Sequence, residues 1–221
     1  MLKGTLSSDG ILTYRIVDVN PITTSDNSNT PKTYQRRYNS PPLIQVIIGI
    51  ILSSISIQRI TNKEQMEMRI AVGADHAGYN LKEILVPWLM GLDYEITDLG
   101  ASTLDPSDDY PDLALPVAQA ISSGEADKGI IICGSGVGAS MVANKVPGVR
   151  ACLCHDTYSS HQGVEHDDMN VLCLGGRIIG EDLSKEIVTS FLQATFIREP
   201  RFQRRLDKLL SIEKEYTQRD L

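Results

Sequence analysis

The run Ile130-Ile131-Ile132-Cys133-Gly134-Ser135-Gly136-Val137-Gly138-Ala139-Ser140 decides the fold, because an apolar strand pattern stops at a cysteine and gives way to alternating glycines. The glycines lack Cβ, so the backbone can take positive φ and bring its N–H groups against a bound oxyanion or phosphate. The next residues, Ala139 to Lys145, carry a short helical pattern whose N-terminal dipole favours negative charge at the same place. A cysteine there is expected to ionise readily and to act as a base or nucleophile. The alternative is a small buried hydrophobe at a tight strand-to-helix turn.

Outward from this junction, strands and helices alternate. Apolar strands are predicted at 70–74, 94–99, 129–133, 149–154 and 171–174. Helical spacing is read over 79–90, 113–121, 157–165, 182–194 and 201–216. This alternation predicts an α/β fold: a doubly wound, Rossmann-like, five-stranded parallel sheet with helices on both faces. Ligands of such sheets bind at the carboxyl ends of the strands, where Asp75-His76 and Cys133 both fall.

Residues 1–67 are a different kind of sequence. They hold none of the four cysteines or four histidines, and carry seven Lys and Arg against five Asp and Glu in a chain of net charge −7. The stretch from Asn20 to Pro42 shows no periodicity. Leu43 to Ile57 is apolar, but at about 15 residues and broken by Gln45, Ser53, Ser54 and Ser56 it falls short of a membrane span. The segment is read as a disordered or dispensable extension, with an organellar presequence and a membrane tether as alternatives. Residues 68–221 then form the functional domain. No C-x-x-C pair occurs, which argues against structural zinc or a disulfide framework and for a reducing, cytoplasmic setting. The acidic domain excludes an extended nucleic-acid surface.

Several side chains could carry chemistry. Asp75 and His76 can exchange protons with hydroxyl groups or hold a phosphate, although Asp75 would equally serve as a helix cap. His166 lies in a polar segment suited to an accessible acid or base, or to an ordinary surface histidine. Arg201 and Arg205 share a helix face, and with Arg177 after Gly175-Gly176 could clamp a phosphate; the alternative is a solvated basic face. Cys152 and Cys154 are read as packing residues.

Together these motifs give residues 68–221 a resemblance to the sugar-phosphate isomerase family of type B ribose-5-phosphate isomerases and galactose-6-phosphate isomerase subunits. The carrying motifs are Gly73-Ala74-Asp75-His76-Ala77-Gly78, Asp109-Tyr110-Pro111-Asp112, Ile132-Cys133-Gly134-Ser135-Gly136-Val137-Gly138, Ala143-Asn144-Lys145, His166-Asp167-Asp168-Met169-Asn170-Val171-Leu172 and Gly175-Gly176-Arg177. The resemblance implies an aldose–ketose isomerase of the pentose phosphate pathway, working on ribose 5-phosphate through a cis-enediolate without metal or organic cofactor. It makes Cys133 the base between C1 and C2, and gives the N–H groups of Gly134 to Gly138, Val137 included, with Ser135 Oγ, to the enediolate oxygen. It makes His166 the ring-opening acid and Asp75 the handler of hydroxyl protons. Arg201 and Arg205 become the phosphate clamp, with His76 and Arg177 as further contacts. It also implies a homodimer or dimer of dimers whose sites draw residues from two subunits.

The sequence departs from the family pattern at three positions. Ser135 stands where threonine is frequent and keeps the hydroxyl. Asp167 replaces the usual asparagine after the histidine and changes that binding contact. Ala139 stands near the place where a cysteine-free branch carries glutamate, so the chain resembles the cysteine-dependent branch. Alternatives are an isomerase of allose or galactose 6-phosphate, and a non-catalytic sugar-phosphate sensor, which would have no need of the thiol.

Overall fold

The computed structural model describes residues 2–6 and 12–16, by their backbone, and residues 68–217. The chain divides into two compact units, Met1–Ile47 and Ile48–Leu221. In the first, β1 (Leu2–Leu6) and β2 (Leu12–Ile16) pair antiparallel, with Leu2 opposite Ile16 and Leu6 opposite Leu12. The sequence reading assigned no element here. The 20–42 stretch and the apolar 43–57 stretch lie outside the described residues.

The second unit contains the predicted parallel sheet. Its strands are β3 (Arg69–Ala74), β4 (Glu95–Asp98), β5 (Lys128–Cys133), β6 (Ala151–Leu153) and β7 (Val171–Gly175). They lie in the order β4-β3-β5-β7-β6, every pair parallel. The crossovers are α1 (Tyr79–Met90), α2 (Tyr110–Ser123), α3 (Val137–Ala143) and α4 (Thr157–Asp167), followed by α5 (Glu181–Gln193) and α6 (Pro200–Thr217). Helix α2 starts three residues earlier than predicted because Pro111 suits a first helical turn, where its missing N–H costs nothing. Strand β6 is shorter than predicted and lies at the sheet edge; Cys152 on it is exposed while Cys154 is buried, so only the latter packs as expected.

Period-two alternation splits the core into two layers. Ile70, Val72, Ile130, Ile132, Leu172 and Leu174 face α1, α4 and α5, meeting Leu85, Val164 and Phe191. Ala71, Ile131, Cys133 and Cys173 face α2 and α3, meeting Val117, Ala118, Ala139 and Ala143. Each fully buried aliphatic side chain contributes about 1.5–3 kcal/mol. The second layer is built of small residues, so α2 comes close: a Cβ on Gly73 would lie 2.6 Å from the Leu113 carbonyl oxygen. Cys133 ends β5 on that thin side. Among the described residues no helix is long and apolar enough to cross a membrane.

Candidate active site

Strand order reverses between β3 and β5, and their carboxyl ends open a crevice there. Asp75 leaves β3 with its N–H donating to the Ile132 carbonyl at 3.3 Å, which fixes the turn against β5. Its Oδ1 accepts from the N–H groups of Ala77 and Gly78, both at 2.9 Å. Asp75 therefore does not cap α1, whose N-cap is Gly78 without a side-chain bond; its Oδ1 is committed to the turn before the helix. Gly78 allows it: a Cβ there would stand 2.2 Å from the Ile132 oxygen.

His76 is held by a residue that the sequence reading did not single out. Asp108 Oδ1 accepts from the His76 backbone N–H at 3.0 Å and from Nδ1–H at 2.7 Å. The hydrogen bond to Asp108 raises the imidazole pKa; burial opposes it, Asp75 adds to it and the charge of Arg177 opposes it. Asp108 lies in a loop 32 residues away, beyond any local pattern.

Cys133 is 5 % exposed, and its Sγ accepts a hydrogen bond from the Gly136 N–H at 3.1 Å. That N–H is thus turned to sulfur, where the sequence reading had assigned it to substrate. Gly136 has φ of 80°, and Leu153 and the Leu174 carbonyl crowd its Cα, so the loop needs glycine twice over. Ser135 is exposed, with Oγ 3.4 Å from the Val137 N–H. A Cβ on Gly138 would touch the Tyr110 ring at 2.7 Å, which locates that motif tyrosine over the loop. Burial pushes the Cys154 thiol up to about 12 and raises those of Cys173 and Cys152 too.

Arg177 completes this group. Its N–H donates to the Gly134 carbonyl at 3.1 Å, and Gly176 N–H donates to that of Cys133 at 2.8 Å. Its side chain passes over Gly134, with Nε 3.8 Å from where a Cβ would be. Asp75, His76, Asp108, the Cys133–Gly138 loop and Arg177 therefore converge at the carboxyl edge.

His166, Asp167, Arg201 and Arg205 do not join them. Helix α4 runs back across the sheet, so its end sits beside the start of β6: Arg150 donates to the Asp168 carboxylate at 2.7 Å and its N–H to Asn170 Oδ1 at 2.8 Å. Cys133 pairs with Gly175, at the far end of β7 from Val171. The length of β7 alone separates the two groups by roughly 13 Å. At the amino edge, Gln162 Nε2 meets His166 Nδ1 at 2.8 Å, and the His166 ring stacks on Phe202 at 4.0 Å. The Arg201 guanidinium lies 4.3 Å from the centre of the same Phe202 ring. Phe202 thus joins His166 to Arg201, and Arg205 follows one exposed turn later. Asp167 opens onto a cleft of about 800 Å³ that Asn144, Arg150, Cys152, Leu209 and Tyr216 also line. Of the weaker candidates, His155 Nε2 accepts from the Gly175 N–H at 3.1 Å, and His161 pairs with Glu165 at 3.1 Å. Among the described residues no three His, Cys, Asp or Glu side chains gather as a metal ion would require.

Comparison with known proteins gives this geometry a context. Residues 70–209 match the family described as Ribose/Galactose Isomerase. The chain is 41% identical over 145 residues to ribose-5-phosphate isomerase B of Escherichia coli (strain K12), covering 66% of this chain and 96% of that protein. It is 40% identical over 129 residues to a D-erythrulose-4-phosphate isomerase of Pectobacterium atrosepticum, covering 58% and 85%. The crystal structure of ribose-5-phosphate isomerase B from Mycoplasma genitalium with bound ribulose-5-phosphate superposes with a TM-score of 0.65 at 41% identity, covering 67% of this chain and 98% of that one.

Proposed function

The chain belongs to the ribose/galactose isomerase family, and from that premise we propose that it interconverts ribose 5-phosphate and ribulose 5-phosphate. The observation that carries the reading is the Cys133 loop: a thiol at a strand end, with a backbone N–H already aimed at its sulfur, beside His76 and Arg177. Cys133 Sγ takes the C2 proton of the open-chain aldose and returns it to C1. The electron pair moves through a cis-enediolate whose oxygens meet N–H groups of the Gly134–Gly138 loop other than that of Gly136, and the Ser135 hydroxyl. Asp75, with Oδ1 committed to its turn, uses Oδ2 to pass a proton between the substrate hydroxyls.

Ring opening and phosphate binding need the second group of residues. The separation of His166, Arg201 and Arg205 from Cys133 supports a site completed by a second copy, whose amino-edge group closes over the first copy's carboxyl edge. His166 of that copy protonates the ring oxygen, Asp167 contacts the sugar, and Arg201 and Arg205 share the phosphate with His76 and Arg177. Remote phosphate binding positions the reacting carbons. No cofactor enters these steps. Residues 68–221 form the catalytic domain, with residues 1–67 as an extension outside it, and the setting is the cytoplasm.

The test is the initial rate of ribose 5-phosphate isomerisation by the full chain, with and without EDTA, against Cys133→Ala. Turnover unaffected by EDTA and lowered about 10³-fold or more by the substitution is expected. Because a relative of similar identity is named for a tetrose phosphate, four- and six-carbon sugar phosphates are assayed in parallel. A kcat/KM higher for one of them would overturn the pentose assignment, and turnover unaffected by Cys133→Ala would overturn the base.

A further inference from the structure

Asp108 presents an anomaly. One oxygen accepts from two donors of His76, its main-chain N–H and Nδ1–H, while the other, Oδ2, is buried with no hydrogen-bond partner among the described residues. An ionised carboxylate so placed is costly unless a positive charge faces it. The group able to supply that charge is His76, whose ring is partly exposed beside Arg177. Its Nδ1–H belongs to Asp108, so Nε2 remains for a ligand and donates to it when the ring is charged. Two cations, His76 and Arg177, then converge on the glycine loop, an arrangement that repels itself until an anion arrives.

We propose that Asp108 is a positioning residue of the phosphate site, clamping His76 through its main chain and its ring so that Nε2–H is presented to the phosphate of the substrate. The proposal rests on the isomerase reading for the identity of the anion. The charged groups facing His76 among the described residues are Asp75 on its own turn, Asp105 and Asp108 on the loop before α2, and Arg177 after β7. The three carboxylates favour the imidazolium and Arg177 opposes it; Asp108 alone makes the hydrogen bond. Replacing it by asparagine keeps the shape and removes the charge, so the ring should lose its proton at lower pH.

Two measurements on the full chain test this. The first follows the His76 ring proton by NMR as pH rises, assigned by its absence in His76→Gln, in the native protein and in Asp108→Asn. The midpoint is expected to fall in the variant; equal midpoints overturn the clamp. The second measures KM and kcat for ribose 5-phosphate above about pH 7, where the substrate phosphate is fully ionised. In Asp108→Asn the KM is expected to rise several-fold at a pH where the native KM is still flat, with kcat changing much less. A loss confined to kcat, or identical KM profiles, overturns the link to phosphate. If Asp108→Asn does not fold, His76→Gln carries the test: its KM should be high and independent of pH, and an unchanged profile overturns the proposal. Should the native chain not turn over ribose 5-phosphate, the pentose assignment fails. Titration with inorganic phosphate by calorimetry then decides the clamp, since affinity must fall at lower pH in Asp108→Asn.

Discussion

At the carboxyl edge of the sheet the chain turns on Gly78, Gly134, Gly136 and Gly176, whereas at the amino edge it is stitched by side chains. There Arg69 pairs with Asp127, Arg150 with Asp168, and Lys128 donates to the carbonyls of Phe191 and Ala194. A Cβ on Gly78 or Gly176 would press within 2.2 Å or 2.8 Å of a carbonyl oxygen, so the two loops there cross backbone to backbone. This closeness brings Cys133, His76 and Arg177 together at that edge. At the amino edge a cleft of about 800 Å³ opens beside Asp167 instead, and His166 and Arg201 gather on helices around Phe202. On the proposed reading each edge supplies one half of a site shared with a second copy.

The sharpest way to break this comparison is to disable one edge in each of two chains. Cys133→Ala and His166→Ala should each lose about 10³-fold in turnover. Refolded together in equal amounts they should recover about a quarter of native activity, because half the dimers are mixed and each mixed dimer has one intact site of two. No recovery on mixing would mean that both residues serve one site within a single chain.

A second break concerns backbone closeness. Gly78→Ala drives a methyl into the Ile132 carbonyl and should cost more than about 4 kcal/mol in denaturant unfolding. Gly180→Ala, where nothing lies within 4 Å of the added carbon and φ is −85°, should change stability by under about 1 kcal/mol in either direction. Equal losses at both would refute the claim that steric contact dictates the glycines of the carboxyl edge.

The two edges were unequally legible in the sequence. All five sheet strands and the Cys133 loop could be read because alternation, apolar runs and glycine spacing are local signals. The β1–β2 hairpin was missed although Leu12-Thr13-Tyr14-Arg15-Ile16 alternates and Asp9-Gly10 precedes it, a turn dipeptide overlooked beside the polar stretch that follows. Asp108 was missed because its importance lies in a contact with His76 across 32 residues. Asn144 was noted only as part of a motif; its amide joins the end of α3 to Ala151, donating to the carbonyl at 2.8 Å and accepting from the N–H at 2.9 Å. The separation of His166 from Cys133 is topological: a crossover helix must end where the next parallel strand begins, which puts His166 at the amino edge.

The stitching of the amino edge offers a smaller test. Arg150 is largely buried and reaches the Asp168 carboxylate and two carbonyls, so Arg150→Met removes three charge-assisted hydrogen bonds and should cost about 2 kcal/mol. Arg69→Met, whose pair with Asp127 is well exposed, should cost under about 1 kcal/mol. Chemical denaturation compares them, and equal losses would show that burial does not set the strength of the stitches.

Lys128 gives the smallest effect and the one with a defined pH window. Burial pushes its ammonium down to about 8, with Asp168 opposing. In the unfolded chain the group keeps the ordinary lysine value of 10.5. Between these values the unfolded chain binds more protons than the folded one, so stability rises as pH climbs from about 8 toward 10.5 and is flat below that window. The two carbonyls that accept from the ammonium offset part of the desolvation. The net rise should therefore be about 1 kcal/mol across the window, well under the roughly 3.4 kcal/mol that about 1.4 kcal/mol per pH unit would give between about 8 and 10.5. Lys128→Met should abolish that rise in urea denaturation midpoints taken at successive pH values. Because Lys128 lies at the opposite end of β5 from Cys133, the substitution should leave the pH profile of isomerisation in place. A change in both profiles would mean that the two edges are coupled through the strand, and that the division of labour between them is incomplete.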